Sequence, residues 1–139
     1  MDEGGFPAGA LVMRDGQVIA EGISVGFKLQ DPTGHAETAS IREACQKLKT
    51  HDLSGAVMYE SLQSCLMCFS VAYWAGVSKI VYACRKTPEM VKKLYYEGFT
   101  DTNEINEKNN RKIEFVFIRG FEKECLAIIK EWEKNDKAL

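Results

Sequence analysis

Apolar residues recur along this chain with two different periods, and the switches between those periods set out its elements. Residues 10–13 and 18–23 are short strand-like runs separated by Asp15-Gly16, the sequence of a tight hairpin turn. From 35 to 48, Ile41, Ala44, Cys45 and Leu48 fall three and four apart, which puts them on one face of a helix. Residues 56–59 read as a short apolar strand, 65–75 as a helix ended by Gly76, and 79–83 as another strand. Pro88 opens a helix predicted to run to Gly98. The polar, Asn-rich stretch 101–112 reads as a loop, and 113–118 as the last strand. Residues 121–134, with Leu126, Ile129 and Trp132 periodic, form a terminal amphipathic helix. Strands alternating with helices predict an α/β fold: a largely parallel sheet in three layers.

Composition narrows the class. With 139 residues and 45% hydrophobic content, the chain can bury one core but not two, so residues 1–139 are expected to form a single domain. Eighteen basic and twenty acidic residues give a formal charge of −2, which provides no global attraction to nucleic acid or an anionic membrane and leaves only a local basic groove open. No run approaches the roughly 18 apolar residues of a membrane span, and no basic-then-apolar leader opens the chain. The expected location is cytoplasmic. Cysteines at 45, 65, 68, 84 and 125 are odd in number and lack a framework spacing. They fit a reducing compartment with one metal-bound pair better than a disulfide scaffold.

The candidate chemistry lies at two predicted helix starts. Cys65 and Cys68 are three apart, so on a first helical turn both sulfurs face one ion. Helix-end N–H groups and a metal both favour thiolate over thiol. His35 would add an imidazole, leaving the fourth tetrahedral position open for water, as a catalytic rather than a structural zinc requires. Glu37, two residues after His35, would stand beside the metal without ligating it and carry protons. Alone, the C-x-x-C pair also fits a redox pair or half of a structural zinc site, and His35 a polar helix end. Together, H-x-E followed by C-x-x-C matches the signature of zinc-dependent deaminases, apart from the proline that precedes the first cysteine there.

On these motifs the chain resembles the cytidine and deoxycytidylate deaminase superfamily, in the branch that holds guanine deaminase, cytosine deaminase and tRNA adenosine deaminase. The similar stretches are Gly5-Phe6-Pro7-Ala8-Gly9-Ala10, Asp31-Pro32-Thr33-Gly34-His35-Ala36-Glu37, and Cys65-Leu66-Met67-Cys68 with Ala72-Tyr73-Trp74-Ala75-Gly76. The resemblance implies a cytidine deaminase-like three-layer α/β/α fold with a mixed five-stranded sheet, Zn2+ as cofactor, and assembly as a homodimer or larger oligomer. It also implies that the backbone N–H groups of Ala36 and Cys65 lie near the substrate. Three departures stand out. Ser64 replaces the usual proline before the first cysteine, with Gln63 where glutamate is common. Ser24 replaces an asparagine that bonds the substrate. The chain also starts almost on its first strand, without the N-terminal helix of relatives, which would leave apolar surface for a partner.

The C-terminal third, with Gly98-Phe99-Thr100-Asp101 and Glu131-Trp132-Glu133, looks more like guanine deaminases than tRNA adenosine deaminases. Asp101 is the positional match for an acidic residue that recognises the base there, and a carboxylate accepts hydrogen bonds from guanine N–H groups. Trp74, with Tyr73, Phe27 and Phe99, is a candidate to stack on a base, although aromatic residues in an apolar helix also serve as core. The expected activity is hydrolytic deamination of a nucleobase or related heterocycle, guanine first. Glu37 would be catalytic, His35, Cys65 and Cys68 the metal ligands, and Ser24, Ala36, Asp101 and Trp74 the substrate contacts. A cytosine, nucleoside or tRNA substrate remains open within the class. A zinc-bearing dimerisation protein without catalysis, or a redox protein using Cys65 and Cys68, remains open outside it.

Overall fold

Residues 5–136 are described by the structure, a computed structural model. The first hairpin pairs β1 (Gly9–Arg14) with β2 (Gln17–Ile23). Its two-residue turn places both Asp15 (φ 52°) and Gly16 (φ 75°) in the left-handed region, as a type I′ turn requires. A short α1 (Gly26–Leu29), absent from the sequence expectations, leads into α2 (Ala36–Leu48). There follow β3 (Val57–Glu60), α3 (Leu66–Ala75) and β4 (Lys79–Tyr82), then α4 (Pro88–Lys92), α5 (Thr102–Lys108), β5 (Glu114–Phe117) and α6 (Glu122–Asp136). The five strands form one mixed sheet in the order β2-β1-β3-β4-β5. β1 is antiparallel to both its neighbours, and β3, β4 and β5 run parallel.

That strand order determines where the loops leave the sheet. Gly9, at the start of β1, pairs with Ile23 at the end of β2, and Ala10 pairs with Glu60 at the end of β3. Glu60 in turn is level with Tyr82, and Tyr82 with Phe117. The chain therefore exits β2, β3, β4 and β5 at one edge, and α2 and α3 both begin there.

Alternation assigns the faces. Val12, Ala20, Met58 and Ile80 point to one side, where they meet Ile41 and Ala44 of α2 and Phe69, Ala72 and Ala75 of α3 in the main core. Leu11, Tyr59 and Val81 lie on the other side, flanked by Ile118 and by Phe121 just before α6. A second buried cluster sits at the exit edge, where Leu62, Cys65, Cys68 and Cys84 pack with Met90, Val91 and Tyr96 and with Ile129 of α6. No helix among the described residues is long and apolar enough to cross a membrane.

The structure corrects two sequence expectations. The helix opening at Pro88 stops at Lys92 and does not run to Gly98. Leu94 turns left-handed (φ 65°), and the Tyr95 N–H closes the end by bonding the Met90 carbonyl at 2.9 Å. The stretch 101–112 is not a plain loop. Asp101 caps a two-turn helix by accepting the Asn103 N–H at 2.7 Å, and the polar composition reflects an exposed helix rather than irregular chain.

Two variants test this frame. A Cβ at Gly22 would clash with the Ala36 carbonyl oxygen and sit 2.7 Å from the Ser40 amide, so only glycine lets α2 lie this close to β2. Gly22→Ala should cost about 1–3 kcal/mol, the usual range for overpacking, read as a lower urea midpoint. Leu94 carries a left-handed penalty of about 1–2 kcal/mol, while 87% of its surface is exposed and gains little from burial. Leu94→Gly should therefore raise the melting temperature by about 3 °C after glycine's own entropy cost is deducted.

Candidate metal centre and active site

The site grows from two N-cap residues. His35 caps α2 with extended backbone (φ −73°, ψ 157°), and Cys65 caps α3 likewise (φ −69°, ψ 170°). Extended caps turn these side chains toward the helix starts, and the shared exit edge brings the two starts together. His35 Nδ1 lies 3.5 Å from Cys65 Sγ, and Cys65 Sγ accepts the Cys68 N–H at 3.5 Å. Cys68 Sγ contacts Thr38 Oγ1 at 3.2 Å. The donor atoms of His35, Cys65 and Cys68 all lie within 4.8 Å of one another, and among the described residues this is the one such set able to hold a metal ion. Bond lengths of about 2.0–2.3 Å at tetrahedral angles put zinc donors roughly 3.5–3.8 Å apart. The His35–Cys65 spacing already meets that, so an N/S2 set with one open position fits zinc.

Electrostatics suit a cation at this point. The hydrogen bond from Cys68 pulls the Cys65 thiol down to about 5; burial opposes this and His35 reinforces it. The same thiol–thiol bond, with burial, pushes Cys68 up. His35 is raised, chiefly by its bond to Cys65. Glu37 is buried in the first turn of α2, and burial pushes its carboxyl up to about 7. A carboxyl poised there can both take up and release a proton near neutral pH.

His35, Glu37, Cys65 and Ser24 line one cleft of about 230 Å3, together with Phe6, Ala8, Leu62, Gln63, Leu94, Tyr95 and Tyr96. Its volume can take a small ring system, and it adjoins a second cleft of about 600 Å3 that shares Phe6, Ser24 and His35. Phe6 forms the aromatic wall, with Tyr95 at 4.8 Å and Trp132 of α6 at 5.3 Å between ring centroids. Gly34 makes the approach possible. A Cβ there would sit 2.6 Å from the Gly26 Cα, because the 24–34 loop doubles back to hold Ser24 beside His35.

Cys68 lies buried behind the cleft, and Ala36 is the fully buried first residue of α2, its N–H among those a helix start leaves without an intrahelical partner. Two expected substrate contacts are elsewhere. Trp74 is 80% exposed on α3 and packs edge-on to Tyr73; Phe27 and Phe99 are exposed as well and do not line this cleft. Asp101 does not line it either. Its carboxylate is engaged by the Asn103 N–H as a helix cap and by Gln63 Nε2 at 3.1 Å.

The sequence reading gave no site role to Phe6, Tyr95, Tyr96, Gln63, Glu60 or Glu97. Gln63 braces the loop before Cys65: its N–H bonds the Cys84 carbonyl, its Oε1 accepts the Lys86 N–H, its Nε2 bonds Asp101 and Thr102, and its carbonyl accepts the Tyr96 hydroxyl at 2.7 Å. Buried Glu60 meets Ser64. Burial and the charge of Glu37 push the Glu60 carboxyl up, against the two Ser64 hydrogen bonds. Glu97 sits on the start of α3, accepting the Met67 N–H at 3.3 Å. Although burial opposes its ionisation, the amides of Glu97 itself, Met67 and Leu66 hold its carboxyl below the ordinary value. An Asp or Glu at a helix's own start is readable from sequence, whereas a carboxylate supplied from thirty residues away is not.

Comparison with known proteins gives this geometry a context. Over 83 residues the chain is 40% identical to guanine deaminase of Bacillus subtilis (strain 168), covering 60% of this chain and 53% of that protein. Over 82 residues it is 33% identical to the tRNA-specific adenosine deaminase of Aquifex aeolicus (strain VF5), covering 59% and 54%. The matched stretches thus span about half the length of these curated relatives. Among solved structures, guanine deaminase from Nitrosomonas europaea superposes with a TM-score of 0.80 at 26% identity, over 94% of this chain and 74% of that one. The model of the cytidine and deoxycytidylate deaminase zinc-binding region matches residues 1–84, a stretch that contains both helix starts and the strands that align them. By that match, the chain belongs to the cytidine and deoxycytidylate deaminase zinc-binding family.

Proposed function

We propose that residues 5–136 act as one catalytic unit, a zinc-dependent deaminase that replaces a ring amino group by oxygen and releases ammonia, with a free nucleobase as substrate and guanine the first to test. The observation that carries this reading is a buried carboxyl, Glu37, facing the same small aromatic-walled cleft as His35 and Cys65. His35, Cys65 and Cys68 would hold the ion, which when bound supplies Lewis-acid activation of water. Glu37 takes one proton of the attacking water and delivers it to the ring nitrogen, then takes the second from the hydroxyl now on the ring carbon and passes it to the departing amine, so that the water oxygen becomes the ring carbonyl and the amine leaves as ammonia. Phe6 and Tyr95 hold the ring flat against the cleft wall, and the Ser24 hydroxyl offers one donor and one acceptor to its edge.

An adenosine in tRNA is the second reading, favoured by the likeness to tRNA-specific adenosine deaminase. The formal charge of −2 supports the free base, since a polyanion is normally met by a basic field.

Glu37→Ala should retain zinc while kcat falls about 10^3-fold, within the range typical for a general acid–base group, read as ammonia release from guanine, cytosine, adenine and their nucleosides. Full turnover by that variant would sink the proposed chemistry. In the zinc-loaded protein, Cys65 and Cys68 should resist iodoacetamide until a chelator is added and then react readily through Cys65. Equal labelling with and without zinc would remove the metal from the reading.

A further inference from the structure

The loop that delivers Cys65 is fixed by polar side chains, and one of its locks has no part in the chemistry above. Glu60, the last residue of β3, is 4% exposed, and Ser64 is fully buried. One Glu60 carboxylate oxygen meets the Ser64 N–H at 2.8 Å, and the other meets the Ser64 hydroxyl. Both groups of the residue immediately before Cys65 are thus bound to a single side chain anchored in the sheet. Glu60 is itself held on both sides, by pairing with Ala10 of β1 and Tyr82 of β4.

We infer that Glu60 is a positioning residue for the metal centre: through its paired hydrogen bonds to Ser64 it fixes the backbone entering Cys65, and so sets where the Cys65 sulfur stands relative to His35 and Cys68. The inference rests on the metal site proposed above. A freely rotating residue before an N-cap would let the cap sulfur wander, and outer contacts that orient ligands are worth about 10–100-fold in metal affinity. A proline at 64 would restrict the backbone by its ring but could donate nothing to Glu60. The carboxyl and the serine are therefore coupled: either alone leaves a buried polar group without its partner.

The test uses the full chain loaded with zinc, with Co2+ as a spectroscopic stand-in, and reads zinc affinity by chelator competition, the thiolate-to-cobalt absorption bands, and the melting temperature. Glu60→Val should weaken zinc binding by about 10-fold or more and shift the cobalt bands, and Glu60→Gln, which keeps an acceptor for the Ser64 N–H, should recover most of that loss. Ser64→Pro alone should also weaken binding, whereas Glu60→Val combined with Ser64→Pro should return it to within about threefold of the parent, a strongly non-additive result. If Glu60→Val does not fold, Ser64→Ala, which removes only the hydroxyl, should show a smaller loss of the same sign. Single variants that melt earlier yet bind zinc and cobalt like the parent would overturn the positioning role and leave Glu60 as a packing residue. A parent protein with no thiolate-to-cobalt bands would overturn the metal reading itself, and this inference with it.

Discussion

The reversal of β1 between two neighbours that run the other way governs everything at the site. Were β1 parallel to β3, the loop after β2 would leave from the opposite edge and His35 would lie a sheet's width from Cys65. Antiparallel pairing on both sides instead levels Ile23, Gly9, Glu60 and Tyr82 along one rim. Two helices can then start side by side, and the side chains of their N-cap residues converge. The approach is close enough to demand glycine at 22 and 34, where any Cβ would collide with α2 or with the returning loop.

Two helix starts at one spot also concentrate unpaired N–H groups, a partly positive environment into which the chain places Cys65, Glu37 and Glu97. The responses differ because the surroundings differ. Cys65 gains a thiol partner and an imidazole, which draw its thiol pKa down, while burial strips Glu37 of water and pushes its carboxyl up. One group is thereby suited to binding a cation and the other to moving a proton, although they stand on adjoining helix starts.

Much of this was legible from residue order. The Asp15-Gly16 turn, the apolar face of α2, Gly76 as the stop of α3, and the pairing of His35-x-Glu37 with Cys65-x-x-Cys68 are local patterns whose physics does not depend on the rest of the chain. What escaped depended on distant partners. Nothing near Leu94 in sequence announces a left-handed residue, so Tyr95 and Tyr96 read as helix instead of cleft wall. Asp101 was identifiable as a positional match for a base-recognising acid but not as the cap of a helix built from polar residues, where its carboxylate meets Asn103 and Gln63. Trp74 had an apolar sequence neighbourhood and yet lies at the surface, because the buried side of α3 is already filled by Phe69, Ala72 and Ala75.

Gln63 has a consequence for how the protein can be divided. Apart from the Cys84 carbonyl, its partners come from Lys86, Tyr96, Asp101 and Thr102, all downstream of the stretch that defines the family. A fragment ending at residue 84 would hold His35, Glu37, Cys65 and Cys68 but none of the groups that the Gln63 side chain bonds. In this chain the loop leading to Cys65 is therefore braced by residues from beyond the stretch that the family model matches. The candidate ligands are encoded in the first part, and the bracing of the loop that presents two of them is completed by the last.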